Sequence, residues 1–219
     1  MKKQTVLQEK YFPECQPLPG VEKLLSTLAA TQTQNKTTSN PVHIALATSS
    51  HSKTFEMKTR RWGDLFSVIP ASQRVLGDDA RIGKGRGKPL PDIYLLALET
   101  INGALRERGE TEITPEECLV FEDAVPGVEA GRRAGMRVVW CPHPGLLEAY
   151  KGREEEVLAG LTGEHKGKSG PEKEADELKQ RRLSSDSAVD GKLGVVGDGW
   201  AELVKSLADF DYAKYGIQA

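Results

Sequence analysis

Four short apolar runs separated by helical stretches occupy the middle of the chain and leave it few folds to choose from. The runs are VHIALATSS (42–50), FSVIPAS (66–72), CLVFED (118–123) and MRVVWCP (136–142). Between them lie SKTFEMKTRRWGDLF, PDIYLLALETINGALRER and AVPGVEAGRRAG, which read as helices. Apolar runs this short suit strands buried on both faces, and strands alternating with helices build a parallel sheet covered on both sides. The expected class is therefore α/β. One more helix precedes the alternation: Val21, Leu24, Leu25 and Leu28 recur at i, i+3, i+4, i+7. Pro17 and Pro19 break any helix before it, so residues 1–17 read as a polar linker.

Composition sets the edges of the core. Only 38% of the 219 residues are hydrophobic, which leaves part of the chain outside any core. The deficit falls on residues 151–192, which are charged, contain no aromatic and predict a disordered insertion. The core is then expected over 18–150, with a C-terminal helical segment over 193–219 spaced by Leu203, Leu207 and Phe210. A net charge of −2, with basic and acidic residues interspersed, argues against nucleic acid or a membrane surface as partner. Three scattered cysteines make neither a disulfide framework nor a zinc pattern. The first residues carry no apolar signal core, and no window of eighteen apolar residues occurs. The expected setting is cytoplasmic.

The chemistry-bearing residues gather at strand ends, the edge where a doubly wound sheet binds ligands. Thr48 and Ser49 close the first run, Lys88 lies in GKPLPD before a helix, and Glu122 and Asp123 close the third run. Each has a plain structural reading. A Thr-Ser pair caps helices, a lysine beside proline is usually solvated, and acids before a helix suit its dipole. Their common placement points instead to a phosphate held by hydroxyl and ammonium, with a hard cation held by acids. GKGRGKP is no phosphate loop of the Walker type, since Ile82 and Pro89 stand where Gly and Ser/Thr are required. The four histidines lack metal-ligand spacing, and Trp62 and Phe66, one turn apart, fit core packing better than base stacking.

In that order the motifs resemble the haloacid dehalogenase-like hydrolase superfamily, over roughly residues 17–145. HIALATSS looks like its second motif and GKPLPDIY like its third. LVFEDAVPGVEAGRRAGM (119–136), the longest and most specific stretch, looks like its fourth. The pattern is closest to the GS1-like, pseudouridine-5′-phosphatase type of branch, and YAKYGI near the C-terminus fits fungal members. The resemblance implies a Rossmann-like core and a Mg²⁺-dependent phosphatase of small phosphomonoesters, a sugar phosphate or a nucleoside 5′-monophosphate, working as a monomer. It implies that Thr48 and the Ser49 amide bind the phosphoryl group and that Lys88 neutralises charge between phosphate and nucleophile. Asp123 would ligate Mg²⁺ with Glu122 as second ligand or orienter, and Gly127 would allow the tight turn beside them.

The family's nucleophile is the first Asp of Asp-x-Asp-x-Thr/Val on an N-terminal strand, and no aspartate precedes Thr48. The one Asp-x-Asp, Asp209 and Asp211, follows a helical pattern and has Ala213 in place of Thr/Val. Residues 1–17 are expected to be the remnant of a cap or linker, and the chain to be a truncated and inactive form of a phosphatase. The alternative is a natural pseudophosphatase that binds phosphate or a partner without turnover. In the family sheet the nucleophile strand is central, between the strands ending at Ser49 and at Asp123. Without it both strands are expected to carry an unpaired edge.

Overall fold

The computed structural model describes residues 2–34, 42–163 and 193–217. The chain forms two compact units, one of Met1–Ile82, Ile93–Glu112 and Val204–Ala219, the other of Gly83–Asp92 and Ile113–Leu203.

In the first unit α1 (Lys2–Tyr11) leads through a 3-10 turn, Phe12–Glu14, to α2 (Val21–Gln34). The expected α2 face is seen in the burial of Leu24 and Leu28, extended one turn by Thr31, which hydrogen-bonds the Leu28 carbonyl at 2.7 Å. β1 (Leu46–Ala47) follows, then α3 (Ser52–Thr59), α4 (Gly63–Ser67) and β2 (Arg74–Val75), which pairs parallel with β1. The strand expected over 66–72 is thus displaced. Those residues finish α4 and turn through Ala71–Gln73, because Arg74 caps the Phe66 and Ile69 carbonyls at 2.6 and 2.9 Å and holds the turn closed. α5 (Asp92–Glu107) starts in the second unit and runs into the first, burying Ile93, Ala97, Leu98, Ile101 and Leu105 on one stripe.

The second unit is built on β3 (Leu119–Glu122), α6 (Val125–Arg133) and β4 (Arg137–Trp140), the strand–helix–strand unit read from the sequence. β3 and β4 pair parallel from Leu119↔Arg137 to Glu122↔Trp140. α6 lies tight on them: a Cβ on Gly131 would stand 2.8 Å from Val138 Cγ2. α7 (Pro144–Ala149) and α8 (Glu154–Leu158) follow, so the segment expected to be disordered from 151 is ordered through residue 163. The remainder of that expectation, 164–192, lies outside the described residues.

The C-terminal segment corrects the sequence reading most clearly. Where helical spacing predicts a helix, Ala201–Leu203 is a strand, β5, pairing parallel with β4 from Val138↔Ala201 to Trp140↔Leu203. The apolar spacing did mark burial, since Leu207 and Phe210 are 4% and 7% exposed, but they sit in turns. β4 needs a hydrogen-bonding partner on its far side, and the Trp200 carbonyl supplies one to Val138 N at 2.9 Å. The parallel strands therefore form two sheets, β1–β2 and β3–β4–β5. β1 pairs with β2, and β3 with β4.

Candidate functional site

The β3 end is the most elaborated corner of the second unit. Glu122 is the last strand residue and its side chain is 6% exposed. A buried carboxylate needs partners, and Glu122 has them: the Lys88 ammonium, itself 11% exposed, pairs with Oε1, and the Ala124 N–H donates to Oε2 at 3.3 Å. Gly127, on the first turn of α6, leaves the room this carboxylate occupies, because a Cβ there would overlap its carboxyl group. Asp123 follows immediately and is exposed. Its backbone is fixed from behind, where the fully buried Trp140 donates its indole N–H to the Asp123 carbonyl at 3.4 Å.

Lys88 is held in place by its own loop. Arg86 forms a two-point ion pair with Asp92, the first residue of α5, with Nη2 donating to Oδ2 at 3.1 Å. The Lys88–Pro89 peptide is cis and Leu90 N closes a turn on Gly87 O at 3.1 Å. The lysine is thus presented from a short loop braced at both ends. This brace was not recognised in the sequence. Its signal is an arginine six residues before the motif's aspartate, bracketing the Lys-Pro pair.

Two buried ion pairs support the corner from the far face of α6. Arg132 pairs with Asp198, whose other oxygen accepts from Trp200 N at 2.9 Å. Glu129, fully buried, pairs with Arg133 at 3.0 Å and accepts from Thr162 Oγ1 at 3.3 Å. Cys141 continues β4 beside the site and is no substitute nucleophile. Burial first, and the Asp123 carboxylate second, push its thiol up, so the thiolate is scarce at neutral pH.

The structure brings Lys88, Glu122, Asp123 and Gly127 together at one strand end. Thr48 and Ser49 belong to the first unit, just past β1. There Thr48 N donates to Val75 O at 3.0 Å, and its Oγ1 accepts from Ser50 N at 3.1 Å. Gly77 N donates to Ser50 O at 2.9 Å, and a side chain at Gly77 would strike the Ser49 carbonyl. The close approach of these two loops fixes the turn and leaves Ser49 exposed. Asp211 caps the Lys214 amide at 3.1 Å, beside a 3-10 turn rather than a strand.

Two adjacent carboxylates, one exposed and one neutralised by a buried lysine, match the needs of a small hard cation. Such an ion takes one or two protein carboxylates and fills its shell with water and substrate phosphate. The exposed Asp123 carboxylate fits as the direct ligand. Among the described residues no group of three metal-ligating side chains exists. No helix among the described residues is long and apolar enough to cross a membrane.

Comparison with known proteins agrees with the geometry. The family model for haloacid dehalogenase-like hydrolases matches residues 4–135. A probable pseudouridine-5′-phosphatase of Saccharomyces cerevisiae is 40% identical over 162 residues, 73% of this chain and 61% of that protein. An uncharacterized protein of Schizosaccharomyces pombe is 36% identical over 71% of this chain and 58% of its own length. A mitochondrial (DL)-glycerol-3-phosphatase of Arabidopsis thaliana is 33% identical over 74% of this chain and 47% of its own. The chain spans about three fifths of the first two relatives.

Proposed function

This chain belongs to the haloacid dehalogenase-like hydrolases, and on that premise we propose that it carries the phosphate- and Mg²⁺-binding part of a phosphatase of small phosphomonoesters. Pseudouridine 5′-phosphate and glycerol 3-phosphate are the substrates to try first, after the names of its relatives. The observation that carries this reading is the Lys88–Glu122 pair set beside the exposed Asp123. Glu122 holds the lysine ammonium at the strand end, where it offsets phosphate charge without needing to be recruited from solvent. Asp123 would hold Mg²⁺. The bound ion would withdraw charge from the phosphoryl oxygens. Thr48 Oγ1 and the Ser49 N–H would hydrogen-bond the phosphoryl group, and the exposure of Ser49 suits that role.

The reaction runs through an aspartyl-phosphate in this reading, and the 219 residues contain no Asp-x-Asp ahead of Thr48 to form it. The chain by itself is then a binding half without turnover. The test combines a phosphatase assay with thermal melting. With Mg²⁺, the chain should release no phosphate from either substrate, while Mg²⁺ plus inorganic phosphate should raise Tm. Asp123→Asn should abolish the Mg²⁺-dependent part of the rise. Turnover by this chain would remove the claim that its nucleophile is absent. A shift unchanged in Asp123→Asn would remove the metal assignment.

A further inference from the structure

A cleft of about 270 Å³ opens in the first unit beside the end of β1. One wall is aromatic and rigid. Phe55 and Phe66 meet edge to face with centroids 5.6 Å apart, and the Trp62 indole is anchored by a 2.9 Å bond to the Cys15 carbonyl. The polar lining includes Thr48, Ser50 and Lys58.

Lys58 is the unusual member. It is half-buried, its Nζ donates to Ser50 Oγ at 3.1 Å and lies 4.7 Å from the Phe12 ring centroid, and no carboxylate pairs with it among the described residues. An ammonium drawn partly out of water is normally offset by an acid. Here its neighbours are a hydroxyl, an aromatic face and an apolar cleft. Ser50 Oγ accepts from Lys58, so its own proton is left to donate outward. One cation and one hydroxyl donor at the edge of an apolar wall select both ends of a ligand, an anionic head and an uncharged body.

We infer that this cleft binds a small organic anion with a flat apolar body, its head on Lys58 Nζ and Ser50 Oγ and its body against Trp62 and Phe66. Its volume falls just below the ~300–1,000 Å³ of sites for drug-sized ligands. One ring with its charged group fits such a space, and a dinucleotide does not. Thr48 also lines this cleft, so at that residue the inference rests on the phosphatase reading, while the recognition of head and body uses neither Lys88 nor Asp123.

Phenyl phosphate is the probe, titrated by calorimetry into the full chain in EDTA, so that no metal-dependent site contributes. It should bind at least about tenfold more tightly than inorganic phosphate and than phenol, since each control lacks one half of the recognition. Lys58→Gln should weaken it about tenfold or more, with an unchanged melt showing that the fold is intact. A second variant, Leu65→Trp, narrows the cleft and should weaken phenyl phosphate while leaving inorganic phosphate as it was. Equal affinity for phenyl and inorganic phosphate overturns the inference, as does full affinity in Lys58→Gln. Affinity lost in Lys88→Gln and kept in Lys58→Gln also overturns it, while supporting phosphate binding at Lys88. Cleft binding retained alongside failure of the Mg²⁺ test sinks only the phosphatase reading.

Discussion

Glu122 and Asp123 are neighbours in sequence with opposite surroundings: one carboxylate is enclosed by Lys88, Ala124 and Gly127, the other faces solvent. The acidic pair was legible because it closes an apolar run. Glu122's partner was not, because Lys88 is 34 residues away and nothing local ties them. Breaking such a pair should cost much more than replacing it. Lys88→Met strands a buried carboxylate and is expected to cost about 3–5 kcal/mol in urea denaturation, and adding Glu122→Leu should recover most of that. Gly127→Ala acts on the same carboxylate sterically. It should destabilise by about 1–3 kcal/mol and weaken Mg²⁺-dependent stabilisation by phosphate, both read in one melting series. His43 supplies a pH signature in the first unit. Burial, then Arg108, holds its imidazole below the ordinary 6.5, against an opposing pull from Glu110. Unfolded, it takes up a proton near 6.5, so the folded state is the poorer proton binder and loses stability as pH falls beneath that value. Tm should decline between pH 7 and pH 5.5, and His43→Gln should flatten that decline.

At the scale of elements, β3, α6 and β4 were readable because pattern and pairing agree: the apolar runs are strands, and Gly127 and Gly131 mark where a helix must lie close. β5 was not readable. Its three residues have no signature of their own, and their strand geometry comes from the open side of β4. β2 was displaced for a related reason, since the Arg74 caps that fix its position involve carbonyls rather than any apolar pattern. After α8 a later segment is tied back to it, since Gly194 N donates to Ala159 O at 2.8 Å.

For the molecule as a whole, the parallel α/β class was correct, and the division into two sheets follows from which strands have partners. β1 lies against β2 in one sheet, and β3, β4 and β5 run side by side in the other. The first unit has a further property, visible in how its last segment is attached. Leu207 N donates to Pro19 O at 3.1 Å, Lys23 Nζ to Ala208 O at 3.1 Å, and Gly20 is pressed so closely on the Ala208 backbone that no side chain fits between them. The start of α2 is thus built against residues that leave the ribosome almost two hundred positions later. Contacts of such high sequence separation close a long loop, so the seating of α2 belongs to the slow, late part of folding.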